Sequence, residues 1–288
     1  MYYSRLSTSQ MIQNGLDGIY RNQGLSNASM LELSTGKRTD LDPVEEAQLL
    51  NYKVSIKNQT QNNRNIDNIM PKFEAQENSI TTIQDHLTLL QERLMRFNNS
   101  ITAGEKEVYA EEYKGIKQSI IQNLNSKDIY GEYLFSGHQS GIKPFDEKIN
   151  YLGDKGISEI RIADNTTMQI NTVGDQVATN NLKNVIEKLD MFFSTKDAQI
   201  DTTVFDDLEG SLDDLSINLT KIGNRLNRLD STKISNEDII YTNTAKVSSI
   251  EDVDMAKAAS DFSKAQTAYQ AALKTHAAIQ QLSLFNYV

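Results

Sequence analysis

With 288 residues the chain is long enough for two domains or for one elongated domain. Its hydrophobic share of 38% and mean hydropathy of −0.51 favour a long, well-solvated molecule over a sphere built around a large core. A formal charge of −10 with no basic cluster argues against a nucleic-acid partner, zero cysteines exclude disulfides and thiolate metal sites, and no apolar run approaches the ~20 residues of a membrane span.

Met1 to Gln10 lack the basic segment and apolar stretch of a cleaved export signal, so export would need another route. A weak helical stripe follows at Ile12, Leu16, Ile19, Ser26, Met30 and Leu33. The polar, glycine-containing run Ser34 to Arg38 should end that helix near Leu33. Asp42-Pro43-Val44-Glu45 then reads as a helix start, with an N-cap carboxylate, proline at the first helical position and a glutamate at the third.

The strongest stripe comes next: Ile66, Ile69, Phe73, Gln76, Ile80, Ile83, Leu87, Leu90, Leu94, Phe97 and Ile101, broken once by a glutamine. Strict 3,4 alternation is the signature of a coiled coil or long bundle. Pro71 should kink this helix or close off a polar, Asn-rich first segment, Asn58 to Asn68. Gly104 marks a turn, and Glu105 to Lys127 reads as a third helix with Tyr113, Ile116, Ile120 and Leu124 inward.

The period then changes. Tyr133 to Phe135, Ile149 to Leu152, Ile157 to Ile162 and Met168 to Val173 read as short strands separated by turn residues. Helix resumes from Asn181 to Phe193. A second long seam runs through Leu208, Leu212, Leu215, Leu219, Ile222, Leu226 and Leu229, then more weakly through Ile240, Val247 and Ile250. A helix of about 45 residues spans about 65 Å. Glu251 to Asp254 breaks the phase, and Asp254 can cap a new helix. The last seam is Met255, Ala258, Phe262, Ala265, Tyr269, Ala272, His276 and Ile279.

The reading is mainly α: an elongated antiparallel helical bundle or coiled coil built from the N- and C-terminal halves, with a small inserted β-rich tip. Residues 1–38 and 251–288 form a terminal assembly pair, 39–130 and 179–250 a helical rod, and 131–178 the tip. Chain ends are ordinarily frayed and polar. Apolar seams at both ends need a partner, either each other or another copy of the chain. The small and polar residues in these seams favour packing between subunits. The expected assembly residues are Ile12, Leu16, Ile19, Met30, Leu33, Met255, Phe262, Tyr269, Ile279, Leu282, Leu284 and Phe285.

No catalytic, cofactor-binding or metal-ligating set emerges. His86, His138 and His276 are isolated, and His276 reads as a packed seam residue. Thr35-Gly36-Lys37 is not a phosphate loop, since Leu31 stands where the first glycine is required and no strand precedes it. The acidic stretches Asp201 to Asp214 and Asp252 to Asp254 lack calcium-loop spacing and read as solvated faces and caps. The glycosylation sequons at Asn98 and Asn218 fall in helical seams and read as chance matches. A helical hydrolase would need a nucleophile–base pair that no motif supplies.

Ser34-Thr35-Gly36-Lys37-Arg38, with Asp42-Pro43 and Ala47, resembles the N-terminal signature of the flagellin superfamily. Leu89 to Leu94 with Asn98, Ile222 to Leu229, and Ile250 to Ala256 are similar to its later motifs, in the same order. Tyr133 to Gly137, Pro144-Phe145, Tyr151 to Asp154 and the stretch Leu282 to Tyr287 resemble its hook-associated protein 3 branch; a flagellin would show a Thr-x-Phe-Asn-Gly turn where Tyr130 to Tyr133 stands. Leu41, in place of an aspartate, and Pro71 depart from the pattern. The resemblance implies a secreted structural subunit at the hook–filament junction, exported unfolded by the flagellar type III system. Its implied partners are copies of itself, the preceding hook-associated protein, flagellin, and an export chaperone on the C-terminal segment, with no nucleic acid, no membrane and no cofactor. A flagellin filament subunit is the alternative.

Overall fold

A computed structural model describes residues 8–97, 103–195 and 200–285. The elements are α1 (Thr8–Thr35), α2 (Pro43–Phe97), α3 (Ala103–Leu124), β1 (Glu159–Ala163), β2 (Thr166–Gln169), α4 (Gly174–Val177), α5 (Asn180–Ser194), α6 (Thr203–Glu251) and α7 (Met255–Phe285). The fold is mainly α with a small antiparallel sheet. The chain divides into two compact units. One comprises Met1–Lys57 with Ile240–Val288, the other Asn58–Ile239, and α2 and α6 contribute to both.

Helix starts follow the capping residues. Asp42 Oδ1 accepts the backbone N–H groups of Val44 (2.8 Å) and Glu45 (2.7 Å), and Glu45 Oε2 accepts that of Asp42 (3.1 Å). This reciprocal box satisfies amides that the first turn would otherwise leave free, worth about 1 kcal/mol. Pro71 does not end a segment. α2 is helical through it, and its ring stands on the exposed face, where one lost backbone bond is cheapest. α3 begins at Ala103, so Gly104 lies inside the helix and not in a turn before it.

The core of the Asn58–Ile239 unit is the predicted seam. Ile66, Phe73, Ile80, Ile83 and Leu87 of α2 are fully buried in one cluster with Ile120 and Leu124 of α3, Val185 and Leu189 of α5, and Leu208, Leu215 and Leu229 of α6. Each such side chain contributes about 1.5–3 kcal/mol of burial. Phe97 and Ile101 carry the expected stripe onward outside the described side chains. The polar interruptions have partners. Gln76 is fully buried: its Nε2 donates to the Leu134 carbonyl (3.2 Å) and its Oε1 accepts from Thr172 Oγ1 (2.9 Å). Asn236, on the α6 seam, donates through Nδ2 to Asn63 Oδ1 and to the Ile162 carbonyl, both at 2.9 Å. Helix seam and β segment are thereby joined by buried amides that are themselves hydrogen-bonded.

The β segment is less regular than its sequence pattern predicts. β1 and β2 pair antiparallel, Glu159 opposite Gln169 and Ile160 opposite Met168. Tyr133 to Phe135 and Ile149 to Leu152 are not strands; they contribute single bridges, Lys127 with Tyr133 and Phe145 with Tyr151. Turn-forming aspartates and local backbone bonds, Tyr133 to the Ser140 carbonyl and Leu134 to that of Ser126, accompany the difference. The Asp154 carboxylate accepts backbone N–H bonds from His138, Gln139 and Gly156 at 2.7–3.0 Å, and Asp146 Oδ1 accepts those of Lys148 and Asn150 at 2.8 Å. Amides captured by a side chain are withdrawn from a ladder. Those bonds, with burial opposing, hold the carboxyl of Asp154 below the usual range.

Candidate assembly interface

In the unit formed by the two ends, α1 packs along α7 of the same chain. The pair is antiparallel, because Gly15 lies against His276 while Gly36 and Lys37 meet Asp252 and Val253. Its seam on α1 is Ile12, Gly15, Ile19, Asn22, Ser26, Ser29 and Leu33, the least exposed positions of the helix at 3,4 spacing. On α7 it is Ala258, Phe262, Ala265, Tyr269, Ala272, His276 and Ile279. A Cβ on residue 15 would stand 3.1 Å from His276 Nδ1, so glycine there makes room for the ring. His276 Nδ1 has no hydrogen-bond partner, and its Nε2 lies 3.0 Å from Gln280 Nε2.

Of the residues expected to form the assembly surface, Ile12, Ile19, Leu33, Phe262, Tyr269 and Ile279 lie in this intrachain seam. Leu16, Met30 and Met255 do not; they are exposed, Met30 at 60%. The side chains of Leu282, Leu284 and Phe285 lie outside the described ones. Gly15, Asn22 and Ser29 are seam residues that hydropathy cannot reveal; only their 3,4 spacing from Ile12 and Ile19 marks them. α1 therefore carries more apolar surface than α7 covers. Leu16 and Met30 line one flank of its seam, Met11 and Leu25 the other.

The two helix breaks clasp each other. Lys37 and Asp252 form an antiparallel bridge, Arg38 N–H donates to the Glu251 carbonyl (2.8 Å), and Val253 N–H donates to the Gly36 carbonyl (3.0 Å). Gly36, at φ +70°, supplies the left-handed turn that brings this about. The Glu251 side chain, 12% exposed, binds Lys37 at 2.8 Å and Lys53 of α2 at 2.9 Å. Arg38 spans Asp40 (3.0 Å), Glu45 (3.2 Å) and the Ile250 carbonyl (3.3 Å). Asp254 Oδ1 then caps α7 by accepting from Ala256 (2.9 Å) and Lys257 (3.1 Å).

A family model described as the bacterial flagellin C-terminal helical region matches residues 206–288, which include half of the clasp. The flagellar hook-associated protein 3 of Escherichia coli (strain K12) is 24% identical, over 98% of this chain and 98% of that one. A putative flagellar hook-associated protein from Vibrio parahaemolyticus shares the fold with a TM-score of 0.63 at 20% identity, covering 72% of this chain and 98% of that one. The flagellar junction protein of Legionella pneumophila does so with a TM-score of 0.57 at 13% identity, over 71% and 99%. The chain resembles the flagellin superfamily and, within it, hook-associated protein 3.

The superfamily motifs noted in the sequence thus have a structural job: Gly36 to Arg38, Asp42 to Glu45 and Ile250 to Asp254 are the parts of one clasp. Hydrogen bonds from Lys37 and then Lys53 hold the Glu251 carboxyl below the usual glutamate range, against the opposing effect of burial. A depressed folded-state pKa adds stability that is complete above the unfolded value and lost as pH falls through the folded one. Glu251→Gln should therefore speed amide exchange in α1 and α7 at neutral pH, and remove the extra acid sensitivity expected of the intact chain as pH falls below the usual glutamate range. Equal exchange in both proteins at neutral pH would show that the carboxylate does not hold the clasp.

Other polar sequence features are occupied structurally. Asn218 of the sequon is buried, donating through Nδ2 to the carbonyls of Gln176 (2.6 Å) and Asp214 (2.9 Å). Asn98 lies outside the described residues. Asp207 pairs with Lys188, and Asp214 accepts from Thr179 and Asn181. Among the described residues no helix is long and apolar enough to cross a membrane, and no group of three His, Cys, Asp or Glu could hold a metal ion.

Proposed function

We propose that this chain is a structural subunit of the bacterial flagellar axial structure, forming the junction between the ring of the preceding hook-associated protein and the flagellin filament. The observation that carries this reading is the end-to-end match with a hook-associated protein 3, 98% of each chain. The terminal pair supplies the physical means. An α1 stripe wider than α7 can cover leaves Leu16, Tyr20, Leu25 and Met30 for neighbouring copies. Residues 1–38 with 251–288 are the assembly pair, and residues 131–178 face outward. The subunit is extracellular, exported unfolded by the flagellar type III system. An export chaperone covers the apolar seam of α7 before assembly. No reaction is assigned to it.

The match to the flagellin C-terminal helical region favours one second reading, a flagellin filament subunit. A strain lacking the gene separates the two. Junction loss leaves hooks without filaments while flagellin accumulates in the medium, and the wild-type gene restores filaments. Bare hooks with no flagellin made at all would overturn the junction role in favour of the second reading.

A further inference from the structure

The Asn58–Ile239 unit carries opposite charge on two outer flanks of its main helix pair. Between Leu215 and Leu229 the charged residues of α6 are Lys221, Arg225 and Arg228, all cationic and spaced i, i+4, i+7 along one stripe. Lys221 and Arg228 are exposed, while Arg225 is partly buried with its guanidinium 5.6 Å from the Phe73 ring. Burial without a carboxylate partner holds the Arg225 pKa below its usual value. Among the described residues none of the three forms an ion pair.

The outer flank of α2 has the opposite character. Glu74, Glu77 and Asp85 are likewise without ion pairs. The cations of this stretch of α2 turn elsewhere, Lys72 to Glu132 (3.9 Å) and Arg93 to Glu112 (3.1 Å). Two contacts fix the geometry: Gln84 with Ser216 (3.3 Å) and Asp67 with Lys233 (2.7 Å). They place the Ser216 and Lys233 side of α6 beside the acidic flank of α2. By helical phase, Lys221 and Arg228 lie across the α6 seam, on the other side of the pair.

We infer that these faces are the two halves of one contact between copies of the chain, the basic face of α6 in one copy docking on the acidic face of α2 in the next. This rests on the proposed role as an assembling subunit. Copies with a net charge of −10 repel one another at a distance, so association needs a local complement of sign. Opposite charges on opposite flanks supply it in a head-to-tail sense, the arrangement that closes a ring or continues a helix. A contact of either face with itself would bring like charges together. A carboxylate from the next copy also gives Arg225 the charge-assisted hydrogen bonds it lacks within its own chain.

The test uses exposed positions, so that the fold is left alone. Lys221→Glu with Arg228→Glu inverts one face; Glu74→Lys with Asp85→Lys inverts the other. Each pair should keep the circular-dichroism melt of the intact chain yet lower the fraction of hooks bearing filaments, in a strain lacking the gene, by at least about tenfold. The chain carrying all four substitutions has both faces inverted and complementary again, and should recover filaments. Full complementation by either pair overturns the contact. So does a folded fourfold variant that fails, which would point to a different protein on one face. If the wild-type gene itself does not restore filaments, the junction reading fails first, a result separate from failure of the variants alone.

Discussion

A chain ending at Asp261 is expected to leave hooks bare while its Asn58–Ile239 unit melts as it does in the intact chain. The truncation removes Phe262, Ala265, Tyr269, Ala272, His276 and Ile279, nearly the whole surface on which α1 packs. None of these residues belongs to the core cluster of the other unit, which is built from α2, α3, α5, α6 and the β segment. α1 has little reason to stay helical alone. Its seam is glycine, serine and asparagine at four of seven positions, and most helical stability in proteins comes from packing an apolar face. The expected signature is a lower helical signal with an unchanged main transition, and new protease sites before Thr35. A main transition that collapses with the truncation would place the terminal helices in the folding core and overturn the partition.

Gly137→Ala should destabilise the Asn58–Ile239 unit by about 3 kcal/mol or more, against about 1 kcal/mol for Gly131→Ala. The two glycines share a left-handed backbone, φ +82° and +81°, so the cost of forcing an L-residue into that region is common to both. Their surroundings differ. A Cβ on Gly131 meets nothing within 4 Å, whereas one on Gly137 would overlap the carbonyl and carboxylate of Asp154. That carboxylate is already committed to the amides of His138, Gln139 and Gly156 and cannot withdraw without breaking them. A loss of this size is a large part of the stability of an ordinary domain. Urea unfolding of the two variants measures the difference; equal losses would mean that the Asp154 turn yields.

The helices can be read from the sequence because each level of pattern agrees. Long apolar residues recur at 3,4 spacing from Ile66 to Leu94 and from Leu208 to Leu229, and Asp42 and Asp254 stand where caps are needed. Two things escape such reading. In the terminal pair the seam is made of residues too small to carry a hydropathy signal, so the apolar Leu16 and Met30 draw attention away from Gly15 and Ser29, which pack. In the β segment, Asp146 takes the amide of Asn150, which alternation alone would assign to a strand, and Asp154 gathers those of His138, Gln139 and Gly156 into turns. The polar breaks at Gln76 and Asn236 are visible as interruptions, but their partners, Leu134, Thr172, Asn63 and Ile162, are distant in sequence. The charged faces of α2 and α6 are equally hidden, since their meaning depends on which side of the seam each helix turns outward.

The clasp sets an order of events in the life of the chain. Lys37 meets Asp252 and Gly15 meets His276, so the first helix made has no partner until nearly everything else has been made. Closing so long a loop is the costliest contact in entropy that the fold forms, and the last available to a chain emerging from its N-terminus. An interrupted chain keeps its first helix uncovered, with an apolar stripe on display. Once α7 is in place its packing covers the seam from Ile12 to Leu33, while Leu16 and Met30 stay exposed. The pairing of α1 with α7 thus ties the covering of one seam to the arrival of a helix more than two hundred residues further along.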